Sequence, residues 1–412
     1  MIKIIIRTFQ LLLILILISI IYLSTIGIKT DQFNNKIVNK VKGINKNLNL
    51  ELKNVNLLLN LFQLKINIKT LGTNLRFMDK TIELESLESS ILLRSIVKDD
   101  FLLSGLQIST KSIRVKNLIS FIKIFKKDVK LFVAEQLIKD GYIIADIGIE
   151  FDKNGKIKEN YKAKGFIKDG KINLFKKYIL TDLNFNFELS NDTFNFEEVD
   201  LKVNKIEILI PQLTVKKKID KFLVSGQIDN RETILDKDMV NLIDLDFLDL
   251  NIKKAKFSSK NLFNFEISKD FDFKNLEIKS NIDLKSLILP NKFDLSNFFL
   301  KANNELIFQN HKITLDYDKD NLKIKGAGDL VLNDNQEKIQ YDILKDKKKI
   351  NFDIDLSIFK NELKLNFLNY EKKKKSDLKI KINGSKTPKG NLYIENFIFK
   401  EDNNNLDIKK LY

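Results

Sequence analysis

His311 is the only histidine of this chain and cysteine is absent. A histidine-based zinc site, a Ser-His triad and a Cys-His pair therefore have too little to be built from. The neighbours Gln309, Asn310 and Lys312 make the stretch read as a polar turn. Asp316, Asp318 and Asp320 begin with the spacing of a calcium loop, where alternating carboxylates reach one ion. That loop needs glycine at its sixth position and glutamate at its twelfth, and here they are Asn321 and Ala327, so a solvated strand end is expected instead. Gly326-Ala327-Gly328 lacks the lysine and the following helix of a phosphate-cradling loop and reads as a bend or bulge within a sheet. Asn191-Asp192-Thr193 and Asn383-Gly384-Ser385 match the glycosylation acceptor pattern, which carries little weight in an asparagine-rich chain. Asp353 and Asp355 fall on the outward face of one strand, where solubility accounts for them. No enzyme activity, cofactor or metal site is expected.

Charge excludes a further class. The net charge of +16 comes almost wholly from lysine, since the arginines are only Arg7, Arg76, Arg94, Arg114 and Arg231. Lysine lacks the planar fork that suits arginine to phosphates and base edges, so no nucleic-acid partner is expected. The runs Lys216–Lys218, Lys347–Lys349 and Lys372–Lys375 all sit between expected strands. There they keep turns and sheet edges soluble and discourage edge pairing, with attraction to anionic headgroups as the functional alternative.

Without a catalytic constellation, the elements themselves carry the function. Phe9 to Ile28 hold no charge, and at about 1.5 Å per residue this length matches a bilayer core of roughly 30 Å. Lys3 and Arg7 precede it and no small-x-small cleavage site follows, so an uncleaved anchor spanning 9–28 is expected, with residues 1–8 cytoplasmic. The lysines that follow the anchor, Lys29 to Lys46, count against that orientation. Phe33, Ile37, Val41, Ile44 and Leu48 then recur at helical spacing. Strands are expected over 50–56, 61–70, 81–87, 102–109 and 112–116, and a second helix over 117–139, closed by Asp140-Gly141.

Beyond about residue 145 the chain alternates apolar and polar residues almost without interruption, as in Ile350-Asn351-Phe352-Asp353-Ile354-Asp355-Leu356. A period of two puts one set of side chains on one face of a pleated strand. Asn154-Gly155 and Asp169-Gly170 are expected hairpin turns, as is Asn191-Asp192. One helical interruption is expected over 231–245, with Ile234, Leu235, Met239, Leu242 and Ile243 on its inner side. About seventeen one-sided strands remain, with a single short helix to cover them. Their apolar faces, worth roughly 25 cal/mol per Å² of area removed from water, can be satisfied by two facing sheets, a closed barrel, or a curved sheet that holds something else.

Three stretches resemble the AsmA-like proteins, including TamB and its relatives, which are counted with the bridge-like lipid-transfer proteins. The first is the anchor followed by the amphipathic stretch Phe33–Leu48. The second is Leu50-Glu51-Leu52-Lys53-Asn54-Val55 leading into Leu61-Phe62-Gln63-Leu64-Lys65-Ile66-Asn67-Ile68. The third is Ile82-Glu83-Leu84-Glu85-Ser86-Leu87 preceding Phe101-Leu102-Leu103-Ser104-Gly105-Leu106-Gln107-Ile108. The likeness is strongest over residues 1–140 and rests on apolar spacing. It implies a mainly β protein: a transmembrane helix, an α+β region over 29–140, and an antiparallel curved sheet over 141–412 forming an elongated apolar groove. With no terminating cap over 391–412, a groove incomplete at its C-terminus or a short family member is expected.

The resemblance further implies a single-pass protein of the inner membrane of diderm bacteria, its body in the periplasm. It would handle phospholipid between inner and outer membranes, with acyl chains as partners. Phe185, Phe187, Leu189, Phe271, Phe273, Ile350, Phe352, Ile354, Leu363, Leu365 and Phe367 are the expected lining, with ordinary sandwich core as the alternative for each. The competing function is a tethered scaffold for outer-membrane protein or envelope assembly, acting on a protein partner through exposed strand edges.

Overall fold

A computed structural model of the chain describes residues 2–31, 34–44, 46–53, 55–77, 80–93, 103–125, 129–152, 158, 162–174, 178–204, 206–236, 252–270, 272–291, 305–365, 369–402 and 404–411. The protein is mainly β and divides into two compact units, Met1–Val199 and Asp200–Tyr412.

In the first unit, helix α1 covers Ile2–Thr25. Its stretch Ile6–Thr25 is long and apolar enough to cross a membrane and is not buried by the rest of the chain. Gly27 ends it at φ +75°, its N–H returning to the Tyr22 carbonyl at 3.0 Å, a conformation that glycine adopts without strain. Helix α2 (Asn34–Ile44) follows the short strand β1 (Ile28–Thr30). The strands β2 (Leu48–Glu51), β3 (Val55–Asn60), β4 (Lys65–Leu71), β5 (Asn74–Phe77), β6 (Lys80–Leu92), β7 (Leu103–Thr110) and β8 (Ile113–Arg114) come next. Two helices, α3 (Val115–Phe125) and α4 (Val129–Leu137), lead into β9 (Ile138–Glu150), β10 (Lys162–Leu174), β11 (Tyr178–Ser190) and β12 (Thr193–Val203). Antiparallel pairing runs β1–β3–β4–β6–β7–β9–β10–β11, with β2–β5 joined to β6 and β8 to β9. Its core gathers Val115 and Ile119 of α3 with Ile82, Leu84, Ile143, Ala145 and Phe187, so here a helix covers the apolar side.

The second unit is a succession of longer strands. These are β13 (Ile206–Lys217), β14 (Lys221–Asp236), β15 (Lys254–Ser268), β16 (Phe273–Pro290), β17 (Glu305–Asp318), β18 (Asn321–Leu332), β19 (Asn335–Lys345) and β20 (Ile350–Ile358). A small hairpin, β21 (Leu363–Leu365) and β22 (Tyr370–Lys372), precedes β23 (Leu378–Lys386), β24 (Leu392–Glu401) and β25 (Asn404–Leu411). From β13 to β20 each strand pairs antiparallel with the next, and β20 passes to β23, β24 and β25.

Several expectations need correction. The helix expected over 117–139 is α3 and α4, and it ends before Ile138. Asp140 and Gly141 lie inside β9, where Gly141, Ile143 and Ala145 alternate as buried residues, so the period of two wins over the helical stop signal. Asp169-Gly170 is not a hairpin turn. It sits within β10 at a register shift, with Asp169 at φ +53°. The helix expected from Arg231 is strand as far as Asp236, with 237–245 outside the described residues. A bulge between Asn230 and Thr233 adds a residue to β14, so that buried Leu235 falls seven positions after Ile228 and imitates a helical repeat. The turn at Asn191-Asp192 stands between β11 and β12 as expected, whereas residues 153–157, with Asn154-Gly155, lie outside the described residues.

Candidate functional site

The second unit carries an extended apolar surface, and pairing register builds it. Ile282 faces Ile313, which faces Gly326, and Gly326 faces Tyr341. Tyr341 faces Ile354, which continues through Ile382 and Phe397 to Ile408. Alongside runs Leu315, Ile324, Ile343, Phe352 and Gly384. Because alternate residues share a face, every member of both rows is on the same side. Ile282, Ile313, Ile343, Phe352, Ile354, Ile382, Phe397 and Ile408 are all half-buried, retaining solvent contact. Aliphatic neighbours shield one another within the sheet, but no second layer completes their burial among the described residues.

The opposite face is laced with cross-strand ion pairs. Lys312 meets Asp283 at 2.6 Å, Lys325 meets Asp342 at 2.7 Å, and Lys381 lies 3.4 Å from Asp353 and 3.6 Å from Asp355. Asp353 and Asp355 are thus on the charged side. Such exposed pairs contribute little stability, but they keep that side in water and leave the other as the distinctive surface. Asp318 closes the β17–β18 turn against Asn321, and Asp320 there pairs with Lys347 at 2.7 Å. Among the described residues no group of His, Cys, Asp and Glu is arranged to hold a metal.

Glycines under rings smooth the apolar face. Gly226 lies opposite Phe263, Gly326 opposite Tyr341 and Gly384 opposite Phe352, and in the first unit Gly165 lies opposite Phe187. A Cβ on any of these glycines would meet the facing ring, at 2.9 Å for Gly226 and 3.0 Å for Gly384. The ring covers backbone that would otherwise be exposed. Gly328 does the same for His311, whose ring packs against Phe308 and Tyr341.

His311 is therefore fully buried in β17 rather than in a turn. Asn310 at φ +55° and a register shift opposite β18 make the local sequence look turn-like. Its Nε2 lies 3.1 Å from the Asp329 carbonyl, which can only accept, so Nε2 carries the proton and Nδ1 faces the Tyr341 hydroxyl at 3.3 Å. Burial holds this imidazole below its ordinary pKa of 6.5, and it pushes the Tyr341 phenol up to about 12. As pH falls below 6.5 the unfolded chain takes the proton that the folded chain refuses, so stability declines until the folded pKa is passed. Melting temperature should drop between about pH 6.5 and 4.5 in the wild type, and much less in His311→Gln, since no other histidine titrates there. Equal acid sensitivity of the two proteins would sink the assignment.

At one end of the apolar face, the hairpin β21–β22 folds onto the sheet. Leu363 and Leu365 are buried with Leu330, Leu332, Ile358, Leu378 and Phe399. Buried charge holds it there. Glu337 of β19 is 2% exposed, and its carboxylate accepts the N–H groups of Phe359, Lys360 and Asn361 at 2.8–2.9 Å and the Asn361 side-chain amide at 2.7 Å. Lys372 of β22 is fully buried and donates to the carbonyls of Phe359, Asn361 and Lys373 at 2.9–3.3 Å. Burial lowers its pKa, offset in part by Glu337 and Glu401. Glu401 in turn accepts from Tyr370 and Ser376. Lys372 was expected among solvated lysines, and nothing in a run of four lysines marks the one that is buried.

The sequence-derived lining residues do not form one set. Phe187 is in the helix-covered core of the first unit, and Phe185 and Leu189 pack against it. Leu363 and Leu365 belong to the hairpin. Ile350, Phe352 and Ile354 are on the half-buried apolar face of β20, while Phe273 is 72% exposed at the start of β16. Phe271 and Phe367 lie outside the described residues. No known protein family, curated protein or solved structure matches the chain.

Proposed function

We propose that this chain is a membrane-anchored protein that shields lipid acyl chains on the apolar face of its sheet. The observation that carries the reading is two half-buried apolar rows, one from β16 to β25 and one from β17 to β23, with the ion pairs Lys312–Asp283, Lys325–Asp342 and Lys381–Asp353 on the other face. Two acyl chains of about 16 carbons expose some 30 methylenes, so at roughly 0.8 kcal/mol each their entry into water costs on the order of 25 kcal/mol. A continuous apolar strip removes much of that cost along its length and needs no reacting group. The AsmA-like resemblance of residues 1–140 supports the same reading. On it, α1 is a single-pass inner-membrane anchor, the body is periplasmic, the sheet curves into a groove, and the lipid is phospholipid moving between the two membranes.

The full chain, purified from bacterial membranes in mild detergent and extracted for lipid mass spectrometry, should carry near-stoichiometric phospholipid. Phe352→Asp keeps the anchor but places a charge on the apolar rows. At a half-buried position the fold should survive, and retained lipid should fall about tenfold, the factor for losing one aromatic side chain's burial. A folded variant with unchanged lipid would remove Phe352 from the lipid surface and leave the scaffold role as the better account.

A further inference from the structure

Polar residues interrupt the apolar face where β14, β15 and β16 lie side by side. Register places Asn230 opposite Ser259, Ile228 opposite Asn261, and Asn261 opposite Ser280. These four polar residues share the side that carries Phe263, Ile278, Ile282 and Leu315, since they occupy the same alternate positions of their strands. They are not incidental surface residues. Ser259 and Ser280 are each 7% exposed, and Asn230 and Asn261 are half-buried. Charged residues of the same strands, Asp229, Lys260 and Asp283, fall at the intervening positions and so on the opposite face.

Their hydrogen bonds converge on one atom and leave others over. Asn230 Oδ1 accepts from Ser259 Oγ at 3.1 Å and from Asn261 Nδ2 at 3.3 Å, and that Nδ2 also meets Ser259 Oγ at 2.9 Å and the Ile228 carbonyl at 3.0 Å. Among the described residues, Asn230 Nδ2, Asn261 Oδ1 and the Ser280 hydroxyl make no side-chain hydrogen bond. The network therefore fixes the orientation of both asparagines and presents a donor, an acceptor and a hydroxyl that a further neutral polar group can satisfy.

We propose that Asn230, Asn261 and Ser280 hold the ester and glycerol region of a diacyl lipid whose chains lie on the adjoining apolar rows. This rests on the acyl-shielding reading above. The chemistry selects the linkage rather than a phosphate: ester carbonyls accept from Asn230 Nδ2 and Ser280 Oγ, a free glycerol hydroxyl, which a diacylglycerol has and a phospholipid lacks, donates to Asn261 Oδ1, and among the described residues Lys260 and Lys279 alternate to the other face. An apolar sheet alone would let chains slide, whereas one neutral polar station defines where a lipid stops.

The test uses the full chain in dodecyl maltoside, with a pyrene-labelled alkane as reporter and two competitors of equal chain length, 1,2-dioleoylglycerol and its dioleyl diether. The wild type should prefer the diester about tenfold, as expected for hydrogen bonds the ether cannot accept as well. Ser280→Ala, which removes a hydroxyl with no protein partner, and Asn230→Leu should each reduce that preference while leaving alkane binding and circular dichroism unchanged. Alkane binding with no ester preference, or a preference untouched by both variants, overturns the inference alone. Failure of the alkane to bind overturns the acyl-shielding reading and this inference with it.

Discussion

Glu337→Ala should destabilise the second unit by about 3–5 kcal/mol, the cost of removing one partner from a buried, hydrogen-bonded charge cluster. Four donors lose their acceptor at once: the N–H groups of Phe359, Lys360 and Asn361, and the Asn361 amide. The segment Phe359–Asn361 is gripped from both sides, its N–H groups by the carboxylate and its carbonyls by the Lys372 ammonium. Removing the carboxylate leaves Lys372 buried with a smaller opposing charge, and the ammonium must deprotonate or pull free. Urea unfolding followed by intrinsic tyrosine fluorescence measures the cost. Amide exchange then shows where it falls: protection should vanish over β21–β22 before it declines in β17 or β18. Lys372→Met should be far milder, because an apolar chain of similar length fills the site without a charge to satisfy. A Glu337→Ala variant within about 1 kcal/mol of wild type would mean that the hairpin is held by Leu363 and Leu365 alone.

That clamp was not legible in the sequence, and the reason is physical. Alternation declares which face of a strand is apolar, so β17 to β20 and β23 to β25 could be read from Ile313-Leu315-Tyr317 or Leu378-Ile380-Ile382. It does not declare register, and both the clamp and the polar station exist only through register: Glu337 lies 35 residues from Lys372, and Asn230 meets Ser259 across two strands. Bulges hid more. One added residue in β14 turned a strand into an apparent helix, and another in β17 turned buried His311 into an apparent loop. The long apolar helix was legible because no tertiary contact is needed to recognise the uncharged run Phe9–Ile28, most of which α1 contains. The expected lining residues fall in different surroundings because a period of two cannot say what lies above a face: Phe187 belongs to a core that α3 shares, Leu365 to the hairpin's own core, and Ile354 to the half-buried face.

The glycines opposite rings separate two kinds of crowding, and the same substitution should give opposite outcomes at two of them. A Cβ at Gly165 would fall well inside contact distance of the Ile144 carbonyl oxygen, 2.9 Å from Ala145 Cα and 2.8 Å from Phe187 Cζ. Two of those atoms are backbone of β9, which cannot move without disturbing the β9–β10 pairing. Gly165→Ala should therefore cost about 2–3 kcal/mol, the upper range for overpacking. At Gly326 the atoms met all belong to the Tyr341 ring, with Cε2 at 2.6 Å. A ring can turn about its side-chain torsions, so Gly326→Ala should cost under about 1.5 kcal/mol but expel Tyr341 from its place on the apolar face. The phenol reports this directly. Burial now holds it up at about 12, so in the variant its phenolate absorbance, isolated by subtracting Tyr341→Phe, should appear nearer pH 10, the ordinary tyrosine value. Folding energy and ring position thus respond separately, Gly165 answering in stability and Gly326 in titration. Equal costs at the two sites, with Tyr341 still titrating at its high value, would show that the rings do not rest on the glycines at all.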